Sequence, residues 1–371
     1  MTIANLPGEW PEPIVRVQSL ADAGISAIPE RYIKPPSDRP SPPPPQNPAS
    51  RHPIVGDDDI PLIDVGPLFA GDAAAAAAVA AQVTEACRKW GFFQAVRHGV
   101  EPEVMDSARE VWREFFHQPA AAKEAYSNSP ADYVGYGSRL GVEKGAVLDW
   151  NDYFFLHCLP SGWKDHSKWP ATPTPLRDVV EKYSEQVNKF CGKLMKILST
   201  NLGLEEGFLQ DAFGGENFAA CLRVNFYPKC PQPDLTLGLS SHSDPGGLTV
   251  LLPDPDVSGL QVRQNGNWVT VKPVTGALIV NIGDQIQVLS NAVYKSVEHR
   301  AIVNSNQERV SLAYFYNPRG DLLIQPAQKL VTPEKPALYA PMTFDQYRLY
   351  IRTKGPKGKE QLEGFGKKHQ G

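Results

Sequence analysis

From Cys221 to Tyr316 the chain is a succession of apolar runs too short for helices, and that texture limits the fold more than any other feature. The runs are Leu222–Tyr227, Leu248–Leu252, Leu260–Arg263, Trp268–Val271, Ala277–Ile282, Lys295–Val303 and Arg309–Tyr316. Pro-Lys-Cys-Pro, Asp-Pro-Asp, Gln-Asn-Gly-Asn and Asn-Ser-Asn-Gln separate several of them, all good turn formers. Seven strands so closely spaced must bury their apolar sides against one another, which predicts a sandwich or jelly roll.

The residues before Cys221 read differently. Ala73–Trp90 is alanine-rich and predicts a helix, as do the apolar spacings of residues 102–117 and 175–204. Strands are expected at Ile60–Val65 and in the glycine-bounded run Gly91–Val100. The expectation is therefore α+β, an all-β core with flanking helices. Residues 60–220 form a mixed α/β region and residues 221–353 the core, closed by a helix over Thr343–Thr353. Residues 354–371, rich in Gly and Lys, are expected to be a flexible tail. Residues 1–59 read as an N-terminal arm. Within it the stretch 35–53, with Pro42–Pro45, suits an extended linker, while the apolar residues of 10–34 are expected to dock back on the body.

Composition excludes several classes of partner. With 37 Lys and Arg against 41 Asp and Glu the net charge is −4, so nucleic acid and anionic membrane are not expected as partners. There is no apolar run of about eighteen residues to span a bilayer. The five cysteines include no C-x-x-C pair, and the start lacks a charged-then-apolar leader. A reducing cytoplasmic compartment, with the nucleus also open, is the expectation. Nothing calls for an obligatory protein partner.

The chemistry concentrates in His242, Asp244 and His299. His-Ser-Asp puts imidazole and carboxylate at i and i+2, which on extended backbone share a side. A second histidine on a later strand completes one face of an octahedron and leaves three positions open, the arrangement of non-haem Fe(II) oxygenases. A lone His-x-Asp is more often incidental than a ligand pair, and His299 alone reads equally as a packed strand residue, so the company of the three decides. Arg309 and Ser311 share a face that continues through Ala313 to Phe315. An inward guanidinium on an apolar strand is costly unless an anion meets it, and a carboxylate can satisfy its fork with two parallel hydrogen bonds. Arg223, Asn225 and Tyr227 form another such file, with Leu222, Val224 and Phe226 opposite; an exposed edge strand would give the same pattern.

Asn225-Phe-Tyr-Pro-Lys-Cys-Pro, His242-Ser-Asp, His299-Arg, Arg309-Val-Ser, Trp90-Gly-Phe-Phe and His98-Gly together resemble, in order and spacing, the plant 2-oxoglutarate- and Fe(II)-dependent dioxygenases over residues 60–353. The resemblance implies a distorted double-stranded β-helix (jelly roll). It implies iron on His242, Asp244 and His299, the distal carboxylate of 2-oxoglutarate on Arg309 and Ser311, and support of the cosubstrate by Asn225 and Tyr227. It further implies O₂ as the second cosubstrate and ascorbate as an accessory reductant. Phe226 departs from the tyrosine common in the family, on the face turned away from the site.

The substrate must be read from what remains. Phe344, Arg348 and Arg352 lie on one helical stripe. A solvated basic helix is the plain alternative, but Tyr347, Leu349 and Ile351 imply that it packs on something. With Arg223, the two helix arginines are expected to clamp a carboxylate, with Phe154, Phe155, Phe315 and Phe344 as an apolar wall. Trp10-Pro-Glu-Pro-Ile-Val-Arg-Val-Gln-Ser, Ile28-Pro-Glu-Arg-Tyr-Ile, Tyr136-Gly-Ser-Arg-Leu-Gly-Val and Phe344-Asp-Gln-Tyr-Arg-Leu-Tyr-Ile-Arg look like the jasmonate-induced oxygenases within that family. This implies 12-hydroxylation of jasmonic acid, lowering active jasmonate and damping defence signalling. A flavonoid-pathway dioxygenase is the alternative, and a metal-binding jelly roll without turnover a third.

Overall fold

The computed structural model of the chain describes residues 8–40, 59–355 and 358–366. Among these residues the strands are β1 (Leu62–Asp64), β2 (Phe92–Val96), β3 (Gly135–Gly137), β4 (Asp152–Leu159), β5 (Ala219–Tyr227), β6 (Leu239–His242), β7 (Leu248–Leu252), β8 (Leu260–Gln264), β9 (Asn267–Thr270), β10 (Leu278–Ile282), β11 (His299–Ala301), β12 (Arg309–Asn317), β13 (Leu323–Ile324) and β14 (Met342–Thr343). The helices are α1 (Val17–Asp22), α2 (Ala73–Lys89), α3 (Pro102–Phe116), α4 (Ala120–Glu124), α5 (Leu176–Asn201), α6 (Phe208–Ala212), α7 (Asp284–Leu289), α8 (Phe344–Lys354) and α9 (Glu360–Gly366).

Each long helix follows from its sequence. Asp72 caps α2 by accepting from the Ala74 and Ala75 N–H groups, and alanine propagates the helix behind it. Pro102 opens α3, whose Val104, Met105, Ala108, Val111, Trp112 and Phe115 recur at helical spacing and are buried. Thr343 and Gln346 form a capping box at the start of α8.

One sheet has eight strands in the order β1-β2-β10-β7-β12-β5-β4-β3; a second has β6-β11-β8-β9. All seven strands expected after Cys221 are present, though the run Lys295–Val303 narrows to three residues. The change of texture at residue 221 is not a break in space, because four strands of the large sheet come from each side of it. Leu222, Val224 and Phe226 of β5 and Val310, Leu312 and Tyr314 of β12 join α3 and α5 in the main core. The opposite faces of β5 and β12 turn toward the small sheet and are left for function.

The arm does dock. Val17, Ile28 and Tyr32 pack with Trp150, Tyr227 and Cys230 in a separate apolar cluster. The N–H groups of Val17 and Gln18 donate to the buried Asp152 carboxylate at 3.0 and 2.9 Å. Lys34 Nζ lies 2.7 Å from Asp149 Oδ1 and donates to Ser240 Oγ at 2.9 Å. Pro42–Pro45 lie outside the described residues. The flexible tail expected at 354–371 does not hold for the described residues 354–355 and 358–366, while 356–357 and 367–371 lie outside them. Lys354 still belongs to α8, and residues 358–366 are held on the body, where α9 buries Leu362 in the main core. Gly and Lys signalled fraying, but one buried leucine anchors the segment. All five cysteines are free and buried, and no helix among the described residues is long and apolar enough to cross a membrane.

Candidate metal centre

β11 runs antiparallel to β6 and places His299 directly opposite His242. Their ring centroids are 4.3 Å apart. Asp244 Oδ1 sits 3.6 Å from each histidine's Nε2. One ion about 2 Å from each atom bridges such gaps. Among the described residues these three form the group of His, Cys, Asp and Glu side chains able to share a metal.

His242 is the last residue of β6, so Asp244 lies past the strand and not on it as expected. What returns it to the histidines is the following turn, held against the start of α7. The Asp284 N–H donates to Asp244 O at 2.8 Å, and the Gly283 N–H to Gly247 O at 2.6 Å. A Cβ at Gly283 would stand 2.3 Å from Gly246 O, so only glycine permits this approach.

The second contacts of each ligand fix its chemistry. His242 Nδ1 faces Ser240 O at 2.8 Å and His299 Nδ1 faces Val297 O at 3.2 Å. A carbonyl can only accept, so both Nδ1 atoms carry the proton and both Nε2 lone pairs face the centre. Burial, with His242 next to it, pushes His299 down to about 4, keeping it neutral. Asp244 Oδ2 accepts from Thr249 Oγ1 at 2.5 Å and Asn281 Nδ2 at 2.7 Å, which leaves Oδ1 for a metal. Burial alone would raise the Asp244 carboxyl, but His299, His242 and Asn281 outweigh it and hold it well below the usual range. Thr249 and Asn281 were not singled out from the sequence. The signal was there: each is one polar residue inside an otherwise apolar strand.

The triad opens into a cavity of about 230 Å³ between the two sheets, small and mostly apolar. Register sets the rest of its wall. Tyr227 pairs with Arg309, Asn225 with Ser311 and Arg223 with Ala313, so the two polar files face the cavity side by side, with Phe315 beyond. Arg309 is 5% exposed, and its Nε and Nη1 have no partner in the protein. Its guanidinium lies 5.0 Å from the centre of the Tyr227 ring. A buried cation with two idle donors beside a metal triad fits a carboxylate end of a chelating dianion.

The substrate arginines also converge. Arg223, Arg348 and Arg352 line this one cavity with Phe155, Phe315 and Phe344. Arg223 lies 4.0 Å over the Tyr153 ring, gives its Nε to Asn225 Oδ1 at 2.7 Å and keeps Nη2 unpartnered. Asn225, expected to support the cosubstrate, therefore uses its side-chain carbonyl to orient an arginine. Arg352 stands over Tyr133, and burial followed by repulsion from Arg348 pushes it down to about 10. Arg348 is already paired with Asp345, so the clamp carries less bare charge than three arginines imply. Phe154 does not belong to the wall. It packs on Trp112 and Phe115 at 5.2 Å on the helix side of the sheet. Neighbours on a strand point to opposite faces, so Phe154 and Phe155 could not both reach the cavity. Tyr133, Tyr153 and Leu140 take part instead, from loops and a strand that the sequence did not disclose.

Known proteins agree with this geometry. Residues 218–318 match the 2OG-Fe(II) oxygenase superfamily model, and residues 60–173 match the model of the non-haem dioxygenase in morphine synthesis N-terminal region. Jasmonate-induced oxygenase 2 of Arabidopsis thaliana is 61% identical over 355 residues, covering 96% of this chain and 94% of that protein. Flavanone 3-dioxygenase 2 of Oryza sativa subsp. japonica is 40% identical over 331 residues, covering 89% and 92%. The crystal structure of JOX2 in complex with 2OG, Fe, and JA superposes with a TM-score of 0.88 at 60% identity, over 96% of this chain and 99% of that one. Together with the triad, these matches establish that the chain is a member of the 2OG-Fe(II) oxygenase superfamily.

Proposed function

We propose that the protein hydroxylates jasmonic acid at carbon 12, with 2-oxoglutarate and O₂ as cosubstrates and ascorbate as accessory reductant. The observation that carries the substrate is the convergence of Arg223, Arg348 and Arg352, from a strand and a helix, on an otherwise apolar cavity. A small hydrophobic acid satisfies both features. The relatives support it, being jasmonate-induced oxygenases and a structure holding 2OG, Fe and JA.

With His242, Asp244 and His299 as ligands, iron and 2-oxoglutarate supply the oxidising power that puts one oxygen atom of O₂ into a C–H bond while the cosubstrate leaves as succinate and CO₂. The protein's residues do the rest. Arg309 and Ser311 hold the distal carboxylate, which orients the cosubstrate on the ligand face. The arginine clamp fixes the substrate at its acid end, so the hydrocarbon chain is the part presented to the metal. Phe155, Phe315 and Phe344 exclude water along it.

A neutral flavonoid would leave Arg223 and Arg352 desolvated without an anion, which disfavours the alternative suggested by the flavanone relative. A turnover-free metal holder would not need the idle donors of Arg309. The deciding experiment is a substrate panel read by mass spectrometry. Jasmonic acid should turn over, its methyl ester poorly, and Arg223→Ala or the Arg348→Ala, Arg352→Ala pair should lose at least tenfold in kcat/KM while 2-oxoglutarate still binds. Equal rates on acid and ester, or full activity on a flavonoid, would remove the jasmonate reading. We further propose that the enzyme is cytoplasmic, where it would lower active jasmonate; a fluorescent fusion would test this and whether it also enters the nucleus.

A further inference from the structure

The strand that carries His242 lies at a sheet edge. In the order β6-β11-β8-β9 it pairs with β11 on one side, over four residues, and the register shifts between His299 and Ala301. Short edge strands with open backbone groups fray and slip. A ligand on the last residue of such a strand needs a second support.

The C-terminal segment supplies one. Gly358 forms a parallel bridge opposite His242. Its N–H donates to Ser241 O at 2.9 Å, and the Ser243 N–H donates to Gly358 O at 3.2 Å. The two bonds straddle the ligand. Gly358 has φ +56°, and a Cβ there would stand 2.5 Å from Glu298 Oε1, so the contact requires glycine. On the far side, Leu362 is 3% exposed in the main core, and Lys359 Nζ donates to Gln287 Oε1 of α7 at 3.2 Å. On the near side, Tyr347 of α8 donates to Asp284 Oδ2 at 2.6 Å, and the same oxygen accepts from Ser243 Oγ at 3.1 Å. Lys359 and Leu362 thus anchor the segment across the free edge of the metal strand, and Asp284 ties Ser243 at that edge to α8.

We propose that residues 358–362 are a positioning element of the metal centre: a backbone strap that closes the open edge of β6 and sets His242, and through it the affinity for the metal. The proposal rests on the assignment of His242, Asp244 and His299 as ligands. In sequence the strap comes four residues after the end of the helix carrying Arg348 and Arg352, so neighbouring parts of the chain serve the substrate wall and the metal strand.

The test titrates metal-free protein with Co(II) and follows its visible absorption bands, at a temperature where circular dichroism shows every variant folded. Four proteins are compared: the full chain, a chain ending at Gly355, Gly358→Val, and His242→Ala. The strap predicts that the full chain binds one Co(II), that His242→Ala does not, and that both strap variants bind at least tenfold more weakly with altered bands. If the shortened chain does not fold, Gly358→Val carries the test alone, since it leaves Leu362 in place. A merely structural tail would lower the melting temperature and leave the Co(II) affinity and bands untouched, and that result overturns the proposal. Failure of the full chain to bind Co(II), or undiminished binding by His242→Ala, would instead overturn the ligand assignment beneath it.

Discussion

Arg309 shows how much one residue can tell. Its guanidinium is buried with two donors idle, a state that is unfavourable until an anion arrives. Arg309→Ala should therefore raise the KM for 2-oxoglutarate far more than that for the organic substrate. Hydrogen bonds to a charged group are worth about 1.5–3 kcal/mol, or one to two decades in affinity. Steady-state kinetics with each substrate varied in turn would show it, and an unchanged 2-oxoglutarate dependence would make Arg309 a structural cation. The files containing Arg309 and Arg223 were legible because β5 and β12 are long and alternate, with the polar residues Arg223, Asn225, Arg309 and Ser311 all on one face. Phe154 adjoins Phe155 in sequence, but the two-residue period of a strand turns it to the opposite face, against Trp112 and Phe115. Thr249 and Asn281 were overlooked because nothing local says that a buried polar residue serves a ligand contributed by another segment.

Among elements, those whose sequences carry their own signal were legible, and those made by context were not. α2, α3 and α5 read directly from alanine content and helical spacing. β4 did not, since its residues are largely buried on both faces and no alternation survives. β6 reads Leu-Ser-Ser-His, with weak strand propensity, and exists because β11 and the C-terminal strap pair with it. Context also explains why the arm docks. Asp152, at the start of β4, accepts from Val17 and Gln18 N–H and from Ser138 Oγ, so one carboxylate ties α1 of the arm to the sheet. Asp152→Ala would leave these donors buried without an acceptor, at a cost of about 3 kcal/mol. The expected outcome is a lower melting temperature and, at fixed temperature, faster proteolysis within residues 8–40 than in the unmodified protein. Unchanged cleavage would mean that Val17, Ile28 and Tyr32 hold the arm by packing alone.

At the scale of the whole molecule, the cavity demands that charged and titratable groups be buried between two sheets, and this makes the fold sensitive to acid. His157 of β4 lies next to the cavity-lining Phe155, their rings 5.4 Å apart. Burial first, and then Arg348 and Arg352, push it down to about 4, with Asp132 acting weakly in the opposite sense. His98 and His299 are shifted the same way, each chiefly by burial. An unfolded chain takes up these protons near pH 6.5, whereas the folded chain resists until about pH 4 in the case of His157. Between those values the unfolded state binds more protons, so stability falls as the pH is lowered and the loss is complete only below the folded value. Asp152 and Asp284, raised by burial, act against this loss, since their folded carboxyls take up protons before unfolded ones do. The contribution of His157 is therefore isolated by difference. In urea unfolding of metal-free protein, His157→Gln should flatten the decline in stability between pH 6.5 and pH 4 relative to the unmodified chain. Parallel curves for the two proteins would show that His157 titrates normally, and would place the acid sensitivity on His98 and His299.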